Sequence, residues 1–252
     1  MSIIQAIGLT RTVSAWRGAA LVVALLAVAV SSTGCALPHE KPYDAVDPSK
    51  VGTLSGGYGL PPGVPAPDAN VLDTKGRATT LNAVRASRPA ALVFYRGGWC
   101  PPCNFQVHEL SRSSAEFRKR GVALIVISVD NPDHAVETAK EYGLDFDVLS
   151  DPDLAAHRAY HVVDHIGGMT NFMIARMGAD LEERSGKTHH DVAIPSVFLI
   201  DASGTIRWSH ADPDYSKRPN VPQILEAIDS SQIVTSTAPA AATATPATTA
   251  AP

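Results

Sequence analysis

Two cysteines three positions apart, in the run Trp99-Cys100-Pro101-Pro102-Cys103, have the residue types and spacing of a pair that cycles between dithiol and disulfide. If a helix begins at Pro101, Cys100 stands just before it, where unpaired backbone N–H groups and the positive end of the helix dipole favour a thiolate. A lowered pKa makes a thiol nucleophilic at neutral pH. Cys103 then lies one turn on, within reach of a mixed disulfide formed at Cys100. The positional reading is therefore Cys100 as exposed nucleophile and Cys103 as resolving thiol. Pro101 and Pro102 fit a first turn because the donors they lack would be unpaired there. They also remove two N–H groups that could bond the sulfur, leaving the dipole and the Cys103 and Asn104 amides. A structural disulfide is the weaker use of the pair, since so short a loop gains little entropy on closure. A zinc site would need two more ligands, for which His189 and His190 are the candidates.

Such a pair needs a rigid strand before it and a helix after it, and the surrounding pattern supplies both. Ala90 to Tyr95 is a short apolar run ending in Arg96-Gly97-Gly98, as expected of a buried strand entering a loop. From Pro101 the spacing turns helical, with Phe105, Leu110 and Phe117 on one face. Ala69–Leu72 and Ala78–Leu81 flank a turn and read as a hairpin. Val122–Val129 is a β-branched run typical of a central parallel strand, and Pro132–Tyr142 reads as a helix closed by Gly143. Phe146–Leu149 is a strand, Asp153–Tyr160 a helix, Ser196–Asp201 with Thr205–Ser209 a hairpin, and Pro222–Ile228 a closing helix. Strands alternating with helices before a terminal hairpin predict an α/β sheet of mixed direction.

The ends have other compositions. Arg11 and Arg17 precede the apolar run Ala19–Val30 and the small residues before Cys35, the form of an export signal. Twelve apolar residues span about 18 Å as a helix, short of the ~30 Å hydrocarbon core. Gly34-Cys35 resembles the end of a bacterial lipobox, which implies lipidation of Cys35 and export to the periplasm or cell exterior. Membrane attachment would then be by the lipid alone, and Ala36 after the cysteine suits sorting to an outer membrane. Residues 36–66, rich in Gly and Pro, read as a tether. Residues 231–252, almost entirely Ala, Thr, Pro and Ser, read as a disordered tail. A net charge of -4 without a dense basic cluster gives no footprint for nucleic acid.

Three motifs in order carry a resemblance: Tyr95 to Cys103 after its apolar strand, then Phe146-Asp147-Val148-Leu149-Ser150-Asp151-Pro152, then Ile194-Pro195-Ser196-Val197-Phe198-Leu199-Ile200-Asp201. Together with Ile206 to Tyr215 they resemble the thioredoxin-fold superfamily, in its peroxiredoxin-like branch, the alkyl hydroperoxide reductase and thiol-specific antioxidant group. The resemblance implies a thioredoxin-like three-layer α/β fold over about 67–230, a central mixed sheet with helices on both faces, and a helical insertion at about 161–192. Typical peroxiredoxins hold the peroxide with Pro-x-x-x-Thr-x-x-Cys and a distant Arg. Aligned on the strand, Cys103 takes the peroxidatic place, Cys100 replaces the Thr and Arg96 the Pro. Pro195 falls where the distant Arg would be and matches the proline that thioredoxins place opposite the active site.

These departures favour an exported thiol-disulfide oxidoreductase with an antioxidant role, built on Cys100 and Cys103 and supported by Trp99, Arg96 and Pro195. The alternative is a thiol peroxidase in which Cys103 attacks a hydroperoxide and Cys100 resolves. Either reading implies a thiol or disulfide protein as electron partner, and neither implies a metal or organic cofactor. Arg96 reads equally as a thiolate neighbour and as a solvent-facing loop charge. Met169, Met173 and Met177, and before them His157, His161 and His165, recur every four residues and raise a lesser reading as a Cu(I) chaperone. The spacing of the methionines, with Phe172 and Ile174 beside them, predicts core packing instead.

Overall fold

The computed structural model describes residues 44–233; the apolar N-terminal run, Cys35 and the tail from residue 234 lie outside them. In chain order the elements are β1 (Asp44–Ala45), β2 (Asn70–Asp73), β3 (Ala78–Thr80), α1 (Leu81–Arg85), β4 (Ala90–Phe94), α2 (Pro101–Arg112), α3 (Ser114–Lys119), β5 (Ala123–Ser128) and α4 (Pro132–Glu141). There follow β6 (Asp147–Ser150), α5 (Ala155–Ala159), β7 (Val163–His165), α6 (Gly168–Arg176), α7 (Leu181–Ser185), β8 (Asp191–Ala193), β9 (Ser196–Ile200), β10 (Ile206–Ala211), β11 (Lys217–Arg218) and α8 (Val221–Ser231).

Seven strands form one mixed sheet in the order β10-β9-β4-β5-β6-β2-β3. The run Ala90–Phe94 sits at its centre, parallel to β5 and antiparallel to β9. Because side chains alternate along a strand, Ala91, Val93 and Tyr95 face one layer and Ala90, Leu92 and Phe94 the other. The first face packs against Cys103, Val107 and Leu110 of α2, Phe117 of α3, Ala135 of α4 and Ile224 and Ile228 of α8. The second packs against Leu81 of α1 and Ala156 of α5, with Phe94, Tyr160 and Phe198 in an aromatic cluster whose ring centroids lie 5.0 to 5.8 Å apart. Each fully buried side chain of this size contributes about 1.5 to 3 kcal/mol. A central strand buried on both faces explains why its sequence is continuously apolar rather than alternating.

The helix expected from Pro101 through Phe117 is interrupted at Ser113, where α2 ends and α3 begins. The predicted insertion is a separate ribbon, β7 paired antiparallel with β8, enclosing α6 and α7. Within the stretch read as a tether, residues 44–66 are laid onto the domain. There β1 pairs with β11, Leu54 bridges to Ala211 and Pro65 to Thr205. Gly59 N–H donates to His161 O at 2.9 Å. Gly59, at φ +82°, lies so close to Leu54 that an added Cβ would sit 2.7 Å from it, so glycine there permits the close approach. Among the described residues no helix is long and apolar enough to cross a membrane.

The methionine expectation is corrected. Met169, Met173 and Met177 are 77%, 53% and 78% exposed, Phe172 is exposed beside them, and Ile174 is the buried side chain of α6. The period was right for a helix, but the helix turns Ile174 inward and the methionines out. The histidines share no face. His157 is buried against Asp151 at 2.6 Å, His161 stands in a turn at φ +55°, and His165 pairs with Asp191 at 2.7 Å in the ribbon.

Candidate active site

Cys100 is the N-cap of α2, with extended backbone at φ −94° and ψ 110°, and Pro101 and Pro102 fill the first turn. Cys103 follows one turn on. The amides of Cys103 and Asn104 donate to Cys100 O at 2.9 and 3.0 Å. They are spent on the helix backbone, so the donors expected for the Cys100 sulfur serve its carbonyl instead.

Both cysteines are reduced and buried, Cys100 1% and Cys103 0% exposed. Cys100 is therefore not the exposed thiol that its position predicted. The electrostatics reverse the expected order as well. Cys100 is pushed well above the usual thiol range because its S–H donates to Cys103 and because it is buried; Arg218 and Arg96 oppose this only in part. For Cys103, burial alone would raise the pKa. The hydrogen bond from Cys100, the Arg218 guanidinium and the Arg96 backbone N–H outweigh it and hold Cys103 at about 5. At neutral pH the pair is a Cys103 thiolate bonded by a Cys100 thiol.

Arg218 supplies the cation, which comes after the Cys100 hydrogen bond in holding Cys103 down, and nothing in the sequence singled it out. It lies on the two-residue strand β11, 1% exposed. Its guanidinium donates to Gln106 Oε1 of α2 at 3.0 Å and to Tyr215 O. Gln106 in turn donates to Pro219 O at 3.3 Å. Gln106 lies three residues after Cys103 on the same helix, so the bond that fixes Arg218 also aims it at the sulfur. Pro195, predicted to stand opposite the pair, is buried and immediately precedes Ser196, which pairs with Phe94 two residues before Arg96.

The family model described as AhpC/TSA matches residues 62–209. The chain belongs to the AhpC/TSA family. Its relatives include the thiol-disulfide oxidoreductase ResA of Bacillus cereus, 26% identical over 126 residues, covering 50% of this chain and 70% of that protein. A peroxiredoxin of Thermoplasma volcanium is 26% identical over 176 residues, 68% of this chain and 74% of that one. Solved structures share the fold: peroxidoxin BcpB of Mycobacterium tuberculosis superposes with TM-score 0.53 at 15% identity, over 69% of this chain and 97% of that one. Reduced Prx3 of Vibrio vulnificus, in complex with H2O2, gives TM-score 0.55 at 14% identity over 67% and 99%. The thioredoxin-like fold and the enzyme class, thiol-disulfide oxidoreductase or peroxiredoxin, are those the motifs implied.

In this AhpC/TSA chain the loop before Cys100 is pinned from two sides. Gly98 N–H donates to Asp130 Oδ2 at 2.7 Å, and Asn104 Nδ2 donates to Gly98 O at 2.7 Å. Gly97 adopts φ +142°, where a Cβ would lie 2.5 Å from Trp99 Nε1 and 2.7 Å from Asp130 Oδ1. Asp130 follows β5 and is fully buried, and that burial pushes its carboxyl above the usual range despite Arg184 3.6 Å away. Arg184 belongs to α7, so the insertion contributes to the support of the loop. Trp99 packs between the α2 core and the insertion core.

Arg96 is 7% exposed, which removes the reading of a solvent-facing charge. Its guanidinium carbon lies 5.1 Å from the Trp99 ring centroid and 4.5 Å from that of Tyr215. His189 and His190 stay with the insertion, bonded to Pro152 O and Glu182 respectively. Among the described residues no three His, Cys, Asp or Glu side chains gather as a metal site.

Proposed function

We propose that this protein is a thiol-dependent peroxidase in which Cys103 is the attacking thiolate and Cys100 the resolving thiol. The observation that carries the reading is the location of the stabilised thiolate: it is Cys103, held by Arg218 and by the Cys100 S–H, in an interior that a small hydroperoxide can enter far more readily than a folded protein can. Arg218 supplies from β11 the cation that typical peroxiredoxins supply from elsewhere and that Pro195 replaces here.

The Cys103 sulfur attacks the terminal oxygen of R–O–O–H. The O–O bond breaks, the sulfur is oxidised to sulfenic acid, and RO⁻ leaves and takes up a proton as ROH. Cys100 S–H then condenses with Cys103 S–OH, forming the S–S bond and releasing water. An external protein dithiol restores the pair. Its thiolate attacks Cys100, and Cys103, the sulfur with the lower pKa, is the better leaving group. The same chemistry accommodates disulfide exchange with protein substrates, a second reading that the likeness to ResA supports.

Export through the N-terminal signal, lipidation of Cys35 and an antioxidant role at the cell envelope belong to the same proposal, on the strength of the Ala19–Val30 run and Gly34-Cys35. The decisive experiment treats Cys100→Ser with hydrogen peroxide and traps sulfenic acid with dimedone. A dimedone adduct on Cys103, with peroxide consumption lost in Cys103→Ser, is expected. Insulin reduction by the wild type without any sulfenic acid at Cys103 would replace the peroxidase with the exchange enzyme. Metabolic labelling with palmitate, lost in Cys35→Ser, tests the anchor.

A further inference from the structure

Arg96 is a buried cation without an anion. Among the described residues its side chain makes no hydrogen bond and no ion pair, and its buried Nε has no partner. The charged group nearest in chemistry, Cys100, is kept protonated by its own bond to Cys103. Burying an unpaired charge is costly, and the two aromatic contacts return only part of that cost. Trp99 and Tyr215 both pack against the guanidinium, and its N–H groups, which recognise carboxylates in a fork, have no acceptor among the described residues. Arg218 is a different device, because Gln106 Oε1 and Tyr215 O accept from its two terminal nitrogens and its charge faces the Cys103 thiolate.

We infer that Arg96 is a carboxylate-binding site beside the dithiol, and that the oxidants this protein prefers are organic hydroperoxides carrying a carboxylate. The Trp99 and Tyr215 rings offer the neighbouring apolar contact, and Tyr215, 47% exposed, is the outermost layer. On binding, the carboxylate takes the N–H edge of Arg96 and cancels the buried charge. The redox step is unchanged: the O–O bond of the same molecule is broken by Cys103 and its alcohol leaves. The inference rests on the peroxidase reading for its substrate class, but the carboxylate site does not depend on turnover.

Two measurements on the full chain separate the two. In the first, linoleic acid hydroperoxide is compared with its methyl ester, which differs only in charge, by stopped-flow oxidation of the reduced protein. The acid-to-ester rate ratio should fall roughly tenfold in Arg96→Gln, about one bidentate charge-assisted contact. Arg96→Lys, which keeps the charge without the fork, should give an intermediate ratio. In the second, decanoate but not methyl decanoate should slow alkylation of the Cys103 thiolate by iodoacetamide in the wild type, and Arg96→Gln should abolish the protection. A ratio near one in the wild type, or a ratio unchanged by Arg96→Gln, overturns the inference even if both hydroperoxides are consumed. Protection by decanoate without oxidation by either hydroperoxide would keep the carboxylate site and discard the peroxidase.

Discussion

Arg218 and Gln106 meet at 3.0 Å in the interior, joining the two-residue strand β11 to the helix that carries Cys103. The contact makes Arg218 the counter-ion of a buried thiolate, and it makes the chemistry of Cys103 depend on a segment more than a hundred residues further along the chain. Because Arg218 also holds Tyr215 O, and Tyr215 stacks on Arg96, one loop between β10 and β11 ties both arginines to the cysteine pair.

The thiolate should be visible as a titration. The ultraviolet thiolate absorbance of the reduced protein should rise with a midpoint at about 5, and Cys103→Ser should remove that step. The folded pKa lies below the ordinary thiol value of 9.0, so ionisation stabilises the folded reduced protein. That contribution is complete above the unfolded value and is lost as pH falls through about 5. Thermal unfolding of reduced wild type and Cys103→Ser should therefore diverge as pH rises across this window.

Arg218→Gln should raise the Cys103 midpoint by about 1 to 3 pH units, the usual effect of removing an adjacent opposite charge. Peroxide consumption should fall most at low pH and recover as pH increases, because a higher pH restores the thiolate. Arg218→Lys should fall between. A loss of rate that is equal at all pH values would show that Arg218 acts on folding or on the oxidant rather than on the thiolate.

Gly98 is close to Thr138 and Arg184, and a Cβ there would collide with the Thr138 hydroxyl. Gly98→Ala should destabilise by about 1 to 3 kcal/mol, as overpacking does. It should also displace the loop whose N–H is bonded to Asp130. Pairing it with Thr138→Ala, which removes the colliding hydroxyl, should restore some of the lost stability. Denaturant unfolding checks both variants.

Asp201 closes the β9–β10 turn, accepting from Ser203 at 2.6 Å, Thr205 N at 2.9 Å and Arg207 Nε at 2.6 Å. Burial opposes ionisation, but these donors prevail and hold its carboxyl below the usual range. Asp201→Asn should cost about 1.5 to 3 kcal/mol at neutral pH, the scale of a bond to a charged group. A depressed carboxyl stabilises the fold above its unfolded pKa and ceases to do so as pH falls through the folded value. The gap between Asp201→Asn and wild type should therefore narrow only in strong acid. Equilibrium unfolding as a function of pH measures it.

Local pattern was enough for most of the scaffold. The apolar run Ala90–Tyr95, the β-branched Val122–Val129, the Pro-led helix starts and the turn at Ala202-Ser203-Gly204 each announce an element, because strand and helix periods and turn residues act over short stretches. The redox pair was equally legible, since Trp99 to Cys103 is contiguous. Where the pattern misled, a helical period was read as a burial face: α6 needs only Ile174 to anchor it, so the methionines are left outside. Period shows that side chains share a face, and only the neighbours decide whether that face is covered.

The sequence by itself determined that two thiols stand at a strand-to-helix junction in a thioredoxin-like α/β domain. Only the tertiary structure decided which of them is the thiolate. Position favoured Cys100, through the helix dipole and two amides, but those amides bond the Cys100 carbonyl. The stronger effects are the hydrogen bond from the Cys100 thiol and the buried charge of Arg218, brought beside Cys103 by the folding of β11 and α8 against α2. Charges act through space, undiminished by solvent where both partners are buried, and a contact between distant segments leaves no periodic trace along the chain.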